Sequence, residues 1–110
     1  MSRTIDFEEF HIERLRDTER ARMYVEIAIE NYEEDGDTES FLLALRDVAK
    51  AQGGLGKLAE RTGLNRQNLY KALSAKGNPK FLTIEHILSG LGFRLAVKLK
   101  SDDCDKTVAS

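Results

Sequence analysis

The sequence predicts an all-α fold that ends in a single β-strand, and three observations lead to this prediction. Apolar residues recur at intervals of three and four over most of the chain, which is typical of amphipathic helices. Glycine, proline and short oxygen-bearing side chains divide this pattern into short segments. Beyond residue 92 the apolar period changes to two, which is typical of a half-buried strand.

The composition is that of a small globular domain. The chain has 110 residues, of which 41% are hydrophobic and 33% are charged, so one domain with a modest core is expected. The sequence has no apolar run long enough to span a membrane. Its acidic N-terminus lacks the apolar core of a secretion signal, and Cys104 is the only cysteine. We therefore expect a cytoplasmic protein.

The first half of the chain predicts three helices. Residues 1–16 have a loose helical spacing, and a second helix is expected to start near Asp17 and to stop at Gly36, which suits a left-handed helix end. Asp37 or Thr38 is suited to cap a third helix, which a glycine pair ends. The apolar stripes of these helices are Phe7, Phe10, Ile12 and Leu15; Ala21, Tyr24, Val25, Ala28 and Tyr32; and Phe41, Leu42, Leu45, Val48 and Ala49.

Three shorter helices are predicted in the second half. Two of them are expected over residues 55–61 and 66–75, with a turn between them, and Pro79 excludes helix from the loop that follows. Thr83 is suited to cap the last helix, which glycines at positions 90 and 92 are expected to end.

The strand is expected over residues 93–100, where the apolar residues Phe93, Leu95, Val97 and Leu99 alternate with three cations and an alanine. A lone strand leaves its backbone N–H and C=O groups unpaired, and the sequence offers no second clear strand. We therefore expect its partner outside the chain: the same strand in a homodimer, or a different protein. The alternative is an extension packed on its own helices. Residues 101–110 are polar and are expected to form a disordered tail.

The stretch GGLGKLAERTGLNRQNLYKAL, residues 53–73, has two interpretations. A phosphate-binding loop requires a glycine where Ala51 stands, a hydroxyl where Leu58 stands and a preceding buried strand, so this interpretation fails. A helix-turn-helix requires a small residue where its helices approach, a turn residue that tolerates positive φ, and apolar anchors. The residues that meet these requirements are Ala59, Gly63, Leu64 and Leu69.

Charge is distributed unevenly between the two halves. Residues 1–52 contain 7 Lys or Arg and 14 Asp or Glu, whereas residues 53–100 contain 9 basic and 2 acidic residues. A basic half that contains a helix-turn-helix pattern predicts binding to DNA. The alternative is that this uneven distribution arose by chance on an ordinary surface of paired charges.

The helix-turn-helix pattern assigns roles to exposed residues. The start of the second helix is expected to enter the major groove of operator DNA, where Arg reads guanine and Gln reads adenine. The expected base-reading residues are Arg66, Gln67 and Lys71. Asn65 is also expected to cap this helix. The residues expected to contact the DNA backbone, which add affinity without sequence information, are Lys57, Asn65, Asn68, Tyr70 and Ser74.

From about Tyr24 to Lys100 the chain resembles a known family, the probable addiction-module antidote proteins, a branch of the Cro/repressor-type (XRE) helix-turn-helix group. The matching motifs are FLLALRDVAKAQGG at 41–54, KLAERTGLNRQNLYKALS at 57–74, GNPKF at 77–81 and GFRLAV at 92–97. The segment DTERARMYVEIAIENYEEDGDTE at 17–39 is similar to the helix and acidic turn that precede the family's DNA-binding part, although Thr18 stands where a proline is common. Residues 1–16 lie outside the resemblance.

This resemblance implies a bacterial antitoxin of a type II toxin–antitoxin pair. HigA-like antitoxins of this kind bind a RelE-like or HigB-like ribonuclease toxin and repress their own operon as dimers. The implied fold is a five-helix Cro/repressor-like domain, with the strand pairing across a dimer. We expect an N-terminal helical extension at residues 1–36, followed by the helix-turn-helix DNA-binding domain with its C-terminal strand at residues 37–100. The acidic first half suits a basic toxin.

An enzyme is the function class that the residues support least. His11 and His86, the only histidines, lie on different segments, and the chain offers neither a Cys/His cluster for zinc nor a nucleophile–base pair. We therefore expect no catalytic residue, no metal and no cofactor. Besides the antitoxin, two functions stay open: a stand-alone prophage-type repressor without a toxin, and a helical adaptor that has lost DNA binding.

Overall fold

Helix α3 is the element against which the other N-terminal helices are packed. The computed structural model describes residues 2–100, with side chains from residue 7 onwards. Within these residues the helices are α1 Ser2–Arg14, α2 Thr18–Asp35, α3 Thr38–Ala51, α4 Leu55–Thr62, α5 Arg66–Ala72 and α6 Phe81–Gly90. α1, α2 and α4 pack against α3, while α5 and α6 pack against α4. No helix within residues 2–100 has the length and apolar composition to cross a bilayer.

The boundaries of α2 and α3 confirm the predicted caps. Asp17 Oδ1 accepts a hydrogen bond from the backbone N–H of Glu19 at 2.9 Å, and Asp37 Oδ1 accepts one from the N–H of Ser40 at 3.0 Å. Each carboxylate thereby pairs one of the N–H groups that a helix start leaves free. Gly36 ends α2 in the left-handed conformation, with φ of 72°.

α6 begins earlier than the predicted cap at Thr83. Its first residue is Phe81, and the preceding Lys80 makes no capping hydrogen bond with its side chain. Pro79 restricts the residue before it rather than the residues after it. Lys80 has an extended backbone, and α6 therefore begins directly after it.

A single hydrophobic cluster joins α2 to α6. It is built around Leu42, Leu45 and Val48, which are fully buried on one face of α3. α2 contributes Ala21 and Val25 to this cluster, and Ile12 of α1 packs against it. Phe7, Phe10 and Tyr32, which the periodicity also placed on the apolar stripes, are instead exposed. The buried members from α4 to α6 are Leu58, Leu69, Ile87 and Leu88.

The predicted C-terminal strand is wrong. Residues 93–99 form no strand, and none is present elsewhere in residues 2–100. α6 instead ends in a Schellman motif, in which the N–H of Phe93 donates to the carbonyl of Leu88 at 2.8 Å and that of Gly92 to the carbonyl of Ser89 at 3.0 Å. Phe93 packs against the core as the apolar residue of this cap. The first apolar position of the alternating pattern therefore belongs to the helix end.

The remaining apolar positions of that pattern, Leu95, Val97 and Leu99, are exposed. A strand is stable only where a neighbouring strand pairs its backbone, and the part of the chain that the structure describes offers no such neighbour. The predicted dimer pairing through Phe93, Leu95, Val97 and Leu99 required a strand at these residues, and the structure has none there. The predicted tail at 101–110, with Cys104, lies outside the described residues.

A polar cluster of three residues connects α1, α2 and α3. The hydroxyl of Tyr24 donates to Asp47 Oδ2 at 3.0 Å, and His11 Nε2 lies 3.4 Å from the same oxygen. The rings of His11 and Tyr24 meet edge to face, with their centroids 5.0 Å apart. Asp47 is a buried carboxylate, so these contacts supply the hydrogen bonding that its burial requires.

Tyr24 gives the fold a predictable response to alkaline pH. Burial, together with the charge of Asp47 and the hydrogen bond to it, raises the pKa of Tyr24 from its ordinary value of 10.0 to about 12. The folded state therefore favours the neutral phenol, so this contribution to stability is complete below pH 10 and is lost as the pH rises towards 12. We expect Tyr24→Phe to lower the free energy of unfolding at pH 7 by about 0.5–1.5 kcal/mol, the usual net value of a hydrogen bond.

The difference between wild type and Tyr24→Phe should then disappear by pH 12, as measured by urea unfolding at a series of pH values. Tyr70 is exposed, and Tyr70→Phe is the control that should follow the wild-type curve. A difference that persists unchanged at pH 12 would show that the hydroxyl of Tyr24 stabilises the fold by another route.

Candidate nucleic-acid interface

α4 and α5 are two short helices joined by a tight turn, at the position where the sequence predicts a helix-turn-helix. Gly63 follows α4 with φ of 75°, a conformation that glycine adopts without strain, and its N–H donates to the carbonyl of Ala59 at 2.8 Å. Behind the turn, Leu69 is fully buried, and Ala59 and Leu64 pack against the core. Gly63 therefore has the backbone conformation, and Leu64 and Leu69 the core contacts, that the pattern predicts for them.

Side-chain hydrogen bonds fix the turn. The hydroxyl of Thr62 donates to the carbonyl of Leu58 at 2.9 Å and accepts the N–H of Leu64 at 3.1 Å. Asn65 Oδ1 accepts the backbone N–H groups of Gln67 at 2.7 Å and of Asn68 at 3.2 Å. The predicted helix cap at Asn65 is thereby confirmed.

The Asn65 cap should be measurable as stability. α5 has only seven residues, so we expect Asn65→Ala to lower the free energy of unfolding by about 0.5–2 kcal/mol. Asn65→Ser, which keeps an oxygen in capping position, should lose less than half as much. Urea unfolding followed by circular dichroism measures both. An equal loss in the two variants would mean that Asn65 does something other than cap α5.

The three residues predicted to read bases lie on the exposed part of α5. Arg66, Gln67 and Lys71 are all exposed, whereas Leu69 and Leu73 face the core. Because a helix turns by about 100° per residue, Gln67 and Lys71 share the face opposite Leu69. Arg66 lies on the flank of the helix, one turn before Tyr70. Gln67 and Lys71 therefore lie together on one face of α5, and Arg66 lies about 100° around the helix from Gln67.

The residues predicted to contact the DNA backbone are distributed around this face. Lys57, Asn68 and Tyr70 are exposed. The aliphatic stem of Lys57 packs over Gly53, where a Cβ atom would lie 2.9 Å from Lys57 Cγ. Ser74 is only half exposed, and its hydroxyl donates to the carbonyl of Lys71 at 2.8 Å. Ser74 is therefore the least accessible of the predicted contacts.

The glycine pair Gly53 and Gly54 lies between the end of α3 and the start of α4. The N–H of Gly54 donates to the carbonyl of Ala49 at 2.8 Å and that of Gly53 to the carbonyl of Lys50 at 3.2 Å, which completes a Schellman motif at the end of α3. Gly53 and Gly54 have φ values of 115° and 98°. The prediction that this pair breaks the helix is confirmed.

Two contacts that orient α4 and α5 were not predicted. Arg46 on α3 donates to the carbonyl of Leu73 at 2.9 Å and so holds the end of α5. A Cβ atom on Gly90 would lie 2.6 Å from Thr62 Cγ2 and 2.8 Å from Leu58 Cδ1, so the missing side chain at Gly90 is what allows α4 to approach α6 this closely. Both contacts join residues far apart in sequence, and periodicity carries no signal for them.

A shallow groove beside α5 brings in further polar residues. Its lining includes Asn68 and Lys71 of α5 together with Asn78, Lys80 and Thr83 from the following loop and the start of α6. Asn78 and Lys80 belong to the GNPKF motif at 77–81, for which the sequence predicts no role of its own. Their position next to α5 adds them to the candidate interface.

The two halves of the chain differ in how their charges are paired. In the first half, Arg16, Arg20 and Arg22 each form an ion pair with a neighbouring carboxylate. Among the side chains of residues 7–100, no carboxylate pairs with the cations around α4 and α5, namely Lys57, Arg66, Lys71, Lys76 and Lys80. These cations are free to pair with an anionic partner.

Comparison with known proteins identifies the family. A model of the family described as "Probable addiction module antidote protein" matches residues 6–99, which includes much of the N-terminal segment that the resemblance left out. The chain is 35% identical over 86 residues to a protein of Haemophilus influenzae Rd described as uncharacterized, an alignment that covers 78% of this chain and 84% of that protein. No solved structure gives a significant match. The chain therefore belongs to the family of probable addiction module antidote proteins.

Proposed function

We propose that the chain is the antitoxin of a type II toxin–antitoxin module, which binds a RelE-like or HigB-like toxin and represses its own operon. The observation that carries the antitoxin role is the family match over residues 6–99. Antidotes of addiction modules act on a partner, so the family implies that a toxin exists. In this proposal the protein works in the bacterial cytoplasm.

The DNA-binding part of the proposal is supported by α4, the turn and α5. The left-handed Gly63, the buried Leu69 and the capping Asn65 are the features that a helix-turn-helix needs. The unpaired cations on this side can replace the counterions of DNA phosphates. In the proposed complex, the exposed start of α5 enters the major groove, with Arg66, Gln67 and Lys71 at base edges.

We further propose that operator DNA is bound by a homodimer. Two copies of α5 would then read half-sites about 34 Å apart, one turn of the double helix, or a multiple of that distance. Footprinting on the DNA upstream of the protein's own operon tests this spacing. Protection of a single half-site would contradict the dimer.

Growth of cells tests the antitoxin role. The small reading frame adjacent to the gene of this chain would be expressed alone, and then together with this chain. The proposal predicts arrest in the first case and rescue in the second. Rescue should persist when the promoter of the toxin is unrelated to the natural operon, because neutralisation then requires binding to the toxin itself. Arrest without rescue, or no arrest, would instead favour a stand-alone repressor.

A further inference from the structure

The outward side of α2 has a composition that folding does not explain. α2 buries Ala21, Val25 and Ala28 on the side that packs against α3. On the opposite side, at spacings of four, three and four, lie the exposed residues Met23, Ile27, Glu30 and Glu34, which we call the α2 outer face. Met23 is 49% exposed and Ile27 is 54% exposed. Two large apolar side chains are thus presented to solvent on the same side of α2 as the carboxylates of Glu30 and Glu34.

The carboxylates at the end of α2 lack cationic partners. Arg20 and Arg22 are paired with Asp17, Glu19 and Glu26 nearer the start of the helix. No Lys, Arg or His among the described side chains, residues 7–100, forms an ion pair with the carboxylates Glu30, Glu33, Glu34 and Asp35. Negative charge at a helix C-terminus opposes the helix dipole, and like charges one turn apart repel each other. A basic partner would relieve both effects.

The packing of the helices keeps the α2 outer face apart from the candidate nucleic-acid interface. α2 packs against α3, α3 packs against α4, and α4 packs against α5. A protein seated on the α2 outer face therefore meets the acidic half of the chain. The exposed residues of α5 stay available to DNA.

We infer that the α2 outer face is the docking surface for the toxin, and that the toxin presents an apolar patch bordered by Lys and Arg. Apolar side chains at the centre of an interface with charged residues around them are the usual arrangement of protein–protein contacts. The unpaired carboxylates supply the charge complementarity that speeds and orients such an encounter. This inference rests on the proposed function, since it assumes that a toxin exists.

The first test removes the apolar centre. Met23→Gln/Ile27→Gln replaces both exposed side chains with a good helix former. The probe is the purified product of the adjacent reading frame, titrated calorimetrically with the full chain. We expect Kd to rise about tenfold or more, because central apolar residues dominate interfaces. The matched control is Phe81→Gln/Leu82→Gln on α6, where the two side chains are 70% and 68% exposed; its Kd should equal that of wild type.

The second test reverses charge, and it remains decisive if the first variant folds poorly. Glu30→Lys/Glu34→Lys relieves the repulsion at the end of α2, so we expect a higher midpoint of thermal unfolding. The same variant should bind the toxin at least about tenfold more weakly than wild type does. Added salt should weaken toxin binding by wild type, and this salt dependence should be absent from the variant. If Glu30 and Glu34 only supported the fold, their replacement would not raise stability while it lowered affinity for the toxin.

The two possible failures are distinguishable. If wild type binds the toxin and both α2 variants bind equally well, the docking surface is wrong and the proposed function stands. If wild type neither binds the adjacent product nor rescues growth, the proposed function fails and the inference fails with it.

Discussion

Replacing Arg66 and Gln67 together with alanine is expected to abolish sequence-specific operator binding while the fold stays intact. Both side chains are exposed at the start of α5 and make no ion pair or hydrogen bond through their side-chain atoms within residues 7–100. Each bidentate contact to a base contributes about 1–3 kcal/mol of discrimination. Losing two should therefore weaken operator binding at least about 30-fold, towards the affinity for random DNA.

The measurement is a titration of labelled operator DNA at fixed salt, repeated with DNA of random sequence. Arg16→Ala/Asn31→Ala is the matched control, because it removes one cation and one amide from exposed positions on the other half of the chain. The control should bind the operator like wild type. Unchanged operator binding by Arg66→Ala/Gln67→Ala would mean that α5 does not read the bases.

Replacing Leu45 with alanine is expected to destabilise the whole protein. Leu45 is fully buried at the centre of α3, the helix that connects α1 and α2 with α4. Truncation of a buried leucine costs about 2–5 kcal/mol through lost transfer energy and the cavity left behind. The total stability of a small domain is about 5–15 kcal/mol. We therefore expect Leu45→Ala to impair operator binding and toxin binding together, because α3 supports both surfaces.

Leu43 supplies the control for Leu45. Leu43 lies on the same helix and is 41% exposed. Its replacement with alanine removes the same side-chain atoms as Leu45→Ala does. Its truncation should cost less than about 1 kcal/mol. Urea unfolding compares the two variants directly. Equal losses would show that α3 does not form the centre of the core.

The helices were largely predictable because their signals are local. An apolar stripe, a capping Asp or Asn and a glycine in the left-handed region each act within one or two turns. Asp17, Asp37, Asn65 and Gly63 therefore have the positions that the sequence predicts. The resemblance likewise rested on contiguous motifs, and the family match extends it to residues 6–99.

The errors arose where a local pattern had two physical explanations. The alternation from Phe93 to Leu99 suggested a strand, yet Phe93 is the apolar residue of a helix cap and no neighbouring strand exists in residues 2–100. The contacts between Tyr24 and Asp47, and between Arg46 and Leu73, join distant segments and have no counterpart in periodicity. For the α2 outer face the signal was present, since Met23 and Ile27 interrupt an acidic helix face.

The most direct test of this account measures repression and rescue in the same cells. A strain would carry the toxin under an inducible promoter and a reporter under the natural operon promoter. It would express wild type, Arg66→Ala/Gln67→Ala or Met23→Gln/Ile27→Gln. We predict that the first variant rescues growth without repressing the reporter, and that the second represses the reporter without rescuing growth. Loss of both activities in both variants, with the proteins folded, would contradict two separate surfaces on one chain.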